Sequence, residues 1–364
     1  MIFFIYFFIK PTNKMQVILG VIFHFIGGFA SGSFYIPYKK VRGWAWETYW
    51  IVGGIFSWLF VPFIAASFTV PHFINIIQQT NISTVFWTYL MGVLWGFGGL
   101  TFGLAMRYLG MSLGMSVALG FTSSFGALVP PIYRDLFTTD TVHTFSAMVA
   151  NTGGKIVLLG VLVCLLGIYI CGRAGVLKEK ELSEEQKKES IKEFNLKKGL
   201  LVATFSGIMS ACFNFGIEAG KPMAAVAIKN GSNPLFQNNV IFVVILLGGL
   251  TTNFIWCMIL NYRNKSFADY TNKKAPLALN YIFSMLAGTI WFLQFFFYGM
   301  GESKLGNGAG SWILHIAFVI VVSNLWGIKL NEWKGVSKKT FQTILLGILT
   351  IILSVFLVGY GSAM

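Results

Sequence analysis

The sequence predicts an all-α polytopic membrane protein of ten transmembrane helices, arranged as two inverted five-helix repeats. Three observations predict it. Apolar residues make up 55% of the 364 residues, charged residues only 11%, and mean hydropathy is +0.70. A soluble domain carries roughly a quarter charged residues, so this composition cannot cover a surface facing water. Next, apolar runs of about the 20 residues that a helix needs to cross a bilayer recur along the whole chain. Last, one pattern returns in opposite halves. Leu90, Gly92, Trp95, Gly103, Leu109 and Gly110 reappear as Leu286, Gly288, Trp291, Gly299, Leu305 and Gly306, at a constant offset of 196. A weaker echo joins Gly20, Gly28, Ser31 and Phe34 to Gly199, Gly207, Ser210 and Phe213. Two halves on one plan, joined by a charged linker, form the sequence pattern of a secondary transporter, in which inverted repeats supply two related conformations of one site.

The elements follow in order. Residues 1–14 form an N-terminal extension: Met1 to Ile9 is too short to span, and Lys10-Pro11 stops it. It is either an overextended start upstream of Met15 or a short interfacial segment; a secretory signal would need a basic start and a small-residue cleavage site. The first repeat, 15–173, holds apolar runs at 15–37, 47–67, 86–106, 110–133 and 154–172. A linker at 174–198 mixes Lys and Glu, with Lys180 and Glu184 at i,i+4, and reads as solvated and partly helical. The second repeat, 199–364, holds runs at 199–220, 235–261, 277–300, 309–329 and 341–360.

Of 27 Lys and Arg, 20 follow spans one, three, five, seven and nine. The positive-inside rule then places the linker in the cytoplasm and both termini in the periplasm. The net charge of +14 arises from these short loops, which argues against a nucleic-acid partner. Cys164, Cys171, Cys212 and Cys257 lie in apolar runs without C-x-x-C spacing and read as small hydrophobes. No His, Cys or acidic cluster has metal spacing, and no catalytic motif is present; the expectation is a transporter rather than an enzyme.

Polar groups in a bilayer are costly, so each asks for a partner or a purpose. In span one His24, Gly28, Ser31 and Tyr35 share a helical face, and span six matches it with Gly207, Ser210 and Asn214. Such a face suits either a substrate passage or tight packing. Glu218 and Lys221, at i,i+3, either pair with each other or belong to that passage. In span eight Trp291, Gln294 and Tyr298 share a face, and aromatic faces beside an amide are how proteins hold sugars. Phe295 to Phe297 read as lipid-facing. Trp312 and His315 lie three apart in span nine, and Trp95 is the repeat partner of Trp291. Ser31, Tyr35, Trp95, Asn214, Trp291, Gln294, Tyr298 and Trp312 are the candidate substrate-binding residues. His24, His315 and Glu47 are the candidate proton carriers, since an imidazole titrates near neutrality and a desolvated carboxyl can approach it. Each histidine has the alternative of being satisfied by a backbone carbonyl, and Glu47 that of pairing with Lys39, Lys40 or Arg42. Arg107 is expected to anchor the cytoplasmic end of span three.

Several strings carry a resemblance. They are F-Y-x-P-Y-K-K-V (Phe34 to Val41), W-x-W-E-T (Trp44 to Thr48) and M-R-Y-L-G-M-S (Met106 to Ser112). Further on come E-F-N-L-K-K-G (Glu193 to Gly199), K-P-M (Lys221 to Met223), W-x-L-Q-F-F-F-Y (Trp291 to Tyr298) and S-W-x-L-H (Ser311 to His315). In this order the chain resembles the L-rhamnose–proton symporter family, within the drug/metabolite transporter superfamily, from about residue 15 to 364. The resemblance implies ten spans in a bacterial inner membrane. It also implies uptake of L-rhamnose, with L-lyxose or mannose as further sugars, driven by the proton gradient and without a cofactor. Residues 1–14 have no counterpart in the family pattern, and Glu218 stands where that pattern has an uncharged amide. The rival readings are an exporter or exchanger of amines, amino acids or nucleotide sugars on the same architecture, and a non-transporting membrane sensor. A cation exporter would need a midplane carboxylate and a nucleotide-sugar exchanger deep basic groups, whereas a sensor would need a sizeable soluble domain. The sequence shows none of these clearly.

Overall fold

The computed structural model describes residues 11–181, 195–329 and 333–364, and these are helical without a strand. The expectations for residues 1–10, for most of the linker and for the Arg107 side chain lie outside the described residues. Helix α1 (Pro11–Ser33) starts on a proline, which the first helical turn accepts because that N–H has no partner anyway. A turn at Phe34 leads into the short α2 (Tyr35–Tyr38). The next span is α3 (Trp46–Ile55), a π turn (Phe56–Phe60) and α4 (Val61–Thr69). Pro62 has no N–H and cannot continue the ladder, and the Val61 N–H reaches back to Phe56 O instead. Ser57 and Trp58 sit on that bulge, both buried.

Helix α5 (Phe73–Gln79) is followed by α6 (Ile82–Phe137), 56 residues long. The sequence predicts two spans here, 86–106 and 110–133, with a break at Arg107. The helical hydrogen-bond pattern runs on through both, with its first proline at Pro130. Gly98 and Thr122, 24 residues apart in this run, bond to the adjacent residues Ser206 and Gly207 of α9, so the run doubles back between them and serves as more than one crossing of a ~30 Å hydrocarbon core. Then come α7 (Phe145–Ala150), α8 (Thr152–Glu181), α9 (Leu196–Lys229) and α10 (Asn239–Asn264). After a 3-10 turn at Ser266–Thr271 the chain ends with α11 (Leu277–Leu305), α12 (Gly308–Lys329) and α13 (Lys338–Gly361).

Nine helices among the described residues are long and apolar enough to cross a membrane, and they coincide with nine of the ten apolar runs. The remaining run, 110–133, lies inside α6. Large apolar side chains stand on the outside, among them Phe68, Ile82, Leu201 and Leu349. Histidine, serine and asparagine side chains such as His24, Ser206 and Asn214 are turned inward. That inversion is what a lipid solvent selects.

The chain forms two compact units. One comprises Met1–Gly28, Gly98–Ala211 and Lys304–Met364; the other comprises Phe29–Phe97 and Cys212–Ser303. Each draws on both sequence repeats. In the first unit α8 packs along α13 through small residues seven apart, Gly153, Gly160 and Gly167 against Gly347, Ser354 and Gly361. A Cβ on any of these glycines would fall inside van der Waals contact with the facing helix. Glu181, at the end of α8, accepts from the backbone N–H and hydroxyl of Ser337 and from Thr340 Oγ1 at 2.6, 2.6 and 2.7 Å. Those bonds, Ser337's first, hold its carboxyl below the ordinary carboxylate range.

In the second unit two helix crossings answer each other. A Cβ on Gly288 of α11 would strike the backbone of Gly53 in α3. One on Gly248 of α10 would strike the backbone of α6 at Tyr89 to Val93, beside Gly92. Gly288 and Gly92 are the repeat-related pair in the sequence, and Gly53 and Gly248 are 195 apart.

Candidate binding cleft

The second unit contains a narrow, partly open cleft with about 10 Å³ of water-accessible volume, lined chiefly by Phe34, Tyr38, Trp50, Ser57, Trp58 and Trp291. Its floor is possible because Gly53, Gly54 and Gly288 carry no side chains there. Phe34 and Trp291 lie 4.2 Å apart between centroids, and Trp50 is 6.1 Å from both Tyr38 and Trp58. The π turn at Phe56–Phe60 carries Ser57 and Trp58 to this wall. The Trp50 indole is committed, donating to Asn253 Oδ1 at 3.0 Å. Ser57 Oγ, Trp58 Nε1 and Trp291 Nε1 are buried without a hydrogen-bond partner among the described residues. Each such orphan costs about 1–3 kcal/mol, which a structure tolerates where a ligand completes the bond. Among the described residues no acidic or basic side chain lines the cleft. The arrangement therefore suits a neutral, hydroxyl-bearing solute with apolar faces and disfavours an ion.

The sequence repeat explains why this niche is open. Trp291 answers to Trp95 at the 196 offset, and Phe34 answers to Phe213 in the weaker echo. Both pairs form: Trp95 lies 5.0 Å from Phe213. There, however, Phe295 stacks on Phe213 at 4.3 Å and meets Trp95 at 5.7 Å, filling the space. Phe295 reads as lipid-facing in the sequence; it is 6% exposed, because the aromatic pair beside it offers a closer apolar partner than lipid. Thr252, 195 residues beyond Ser57, donates to Val93 O at 2.9 Å, whereas Ser57 has no such carbonyl. One niche is finished as core. The other is left with unmatched donors.

The sequence-predicted residues divide between the units. In the second, Trp291 lines the cleft, and Trp95 packs 6.2 Å from Trp58 behind it. Tyr298 donates to Asn214 Oδ1 at 3.1 Å; Gln294, one turn before Tyr298 on α11, is buried, as is Ser31 on α1. Tyr35 is 41% exposed, its ring edge-on to Phe34 and Tyr38. Glu47 accepts from Ser266 Oγ at 2.6 Å and Asn264 Nδ2 at 3.0 Å. Asp269 returns the tie by accepting from Ala45 N and Thr48 Oγ1. Lys221 pairs with Glu302, whose other oxygen accepts from Asn238. In the first unit His24 and His315 are both buried with ring centroids 6.3 Å apart. Trp312 there donates to Thr122 O at 2.9 Å. Sequence reasoning missed Ser57, Trp58, Trp50 and Tyr38; the one signal available was Pro62 inside an apolar run.

Long apolar helices with apolar side chains outward and polar ones inward define a polytopic helical membrane protein. The model of the L-rhamnose-proton symport protein (RhaT) family matches residues 13–364. A protein named L-rhamnose-proton symporter from Yersinia pestis (strain Pestoides F) is 38% identical over 352 residues, which cover 95% of this chain and 98% of that one. One of the same name from Pectobacterium carotovorum subsp. carotovorum (strain PC1) is 37% identical over the same span. The chain belongs to the L-rhamnose-proton symport protein family, as the motif strings imply.

Proposed function

We propose that the chain takes up L-rhamnose together with protons, and that the sugar binds in the cleft between Phe34, Trp58 and Trp291. The names of its relatives support the transport reading. The observation that carries the placement is the set of three buried, unmatched polar groups among aromatic rings with no charge beside them. Ring faces suit the C–H patches of a pyranose, the indole N–H groups donate to its hydroxyls, and the 6-methyl group suits an apolar wall. The proton gradient supplies the driving force, and no cofactor is required.

Ten spans in two inverted repeats, working by alternating access in a bacterial inner membrane, complete the reading. The repeat-related crossings at Gly53–Gly288 and Gly92–Gly248 support it. The charge distribution supports a cytoplasmic linker and periplasmic termini. The test is accumulation of labelled L-rhamnose in proteoliposomes, with and without an inward proton gradient. Uptake that never exceeds equilibrium under the gradient sinks the reading. L-lyxose and mannose as competitors define the sugar range.

A further inference from the structure

We propose that His24 and His315 together form the proton-binding site of this carrier, one site in which the pair of imidazoles takes up a single proton. The inference rests on the proton-coupled reading above. Two observations carry it. The rings lie edge-to-face with centroids 6.3 Å apart in the first compact unit, and 0% and 3% of the two residues is exposed. Two imidazolium ions at that separation, away from water, repel strongly, so the pair accepts one proton and refuses a second. A site of this kind has two states and a fixed stoichiometry.

The sequence repeat supplies an independent argument. At the 196 offset His315 answers to Leu119, and at the offset of 179 that joins Gly28 to Gly207, His24 answers to Ala203. In space the register shifts by one. A Cβ on Gly28 would strike Phe318 Cβ and one on Gly207 would strike Phe121 Cβ, 197 apart, so His315 stands where the other copy has Ala118, next to Leu119. Ala203 is fully buried in an apolar cluster with Ala105, Leu109 and Ala118. The same packing position is thus filled by small apolar residues in one copy and by two imidazoles in the other. Packing does not require the histidines.

The titratable neighbour acting on His24 is His315. Among the described residues, the contacts of α1 and α12 in this unit include Phe25 on Phe318, Trp312 on Thr122 and Gly126, Val21 on Gly359, and Gly310 on Val358. The closed, buried geometry fits the neutral pair, and exposure to either side would admit the proton. Coupling then requires only that the charged and neutral pair favour different conformations. His24 shares the candidate span Met15–Tyr38 with the cleft residues Phe34 and Tyr38.

The experiment compares wild type with H24Q, H315Q and the double variant H24A/H315A, which copies Ala203 and Ala118. All are purified at full length into proteoliposomes. Three readouts are taken: gradient-driven L-rhamnose accumulation, L-rhamnose counterflow at equal pH, and sugar-induced proton entry followed by an internal pH dye. The expected result is accumulation falling to the equilibrium level and proton entry vanishing in every variant, with counterflow retained within about threefold. Accumulation at wild-type level in any of the three overturns the proposal. So does loss of counterflow or of folded protein in all three, since the histidines would then serve structure or sugar binding. A wild type that neither accumulates nor exchanges L-rhamnose instead removes the transport reading on which the inference stands.

Discussion

Ser57→Ala separates a ligand-binding hydroxyl from a structural one by the sign of its effects. Ser57 is 1% exposed, sits on the π turn and has no hydrogen-bond partner for Oγ. Removing a buried, unmatched hydroxyl relieves a penalty of up to about 1–3 kcal/mol in the empty carrier and leaves almost no cavity. The thermal midpoint of the empty variant should therefore hold or rise. If the sugar completes the bond, its loss costs about 0.5–1.5 kcal/mol of binding, a 2- to 12-fold weaker affinity. Trp58→Phe removes the neighbouring N–H while keeping a ring in place, and should weaken affinity by a similar factor. The assay pairs the counterflow half-saturation constant with thermal shifts in detergent. A tenfold weaker sugar should lose about 1.4 kcal/mol of ligand-induced stabilisation at any saturating concentration. Unchanged sugar affinity in both variants, with a lowered midpoint for Ser57→Ala, would refute the assignment and make the hydroxyl structural.

Further outcomes follow from the same geometry. Gly288→Val should abolish transport and lower the midpoint, since even a Cβ there meets the Gly53 backbone and overpacking costs about 1–3 kcal/mol or more; size-exclusion profiles and uptake check it. Lys221→Met strands the Glu302 carboxylate, which is 5% exposed, and should destabilise by roughly 1–3 kcal/mol once the partial exposure of Lys221 is discounted. Adding Glu302→Gln should restore part of that loss, and a double-mutant cycle of midpoints without coupling would dismiss the pair. Glu181 has a depressed carboxyl in the folded protein, so its contribution is present above the ordinary carboxyl value and fades as pH falls through the folded one. The midpoint gap between wild type and Glu181→Gln should stay constant near neutrality and close below about pH 4. A gap that persists in acid removes the Ser337–Thr340 tie as its cause.

The sequence by itself determined the class of protein and much of its span register. A hydrocarbon solvent demands about 20 apolar residues per crossing whatever the helices pack against, so nine of the ten predicted runs coincide with candidate spans. It also marked the repeat and singled out Trp291, because a constant offset survives without knowledge of contacts. Helical periodicity assigns a residue to a face but does not say which helix meets that face. Phe295 and Trp291 lie one turn apart on α11, yet one closes a filled niche and the other lines an open one. Only tertiary structure decided that, because the outcome depends on whether a third ring occupies the gap. The same holds for His24 and His315, 291 positions apart, whose meeting is a property of packing. Ser57 and Trp58 were hidden for a local reason as well: the π turn breaks the 3.6-residue period by which their face would have been read.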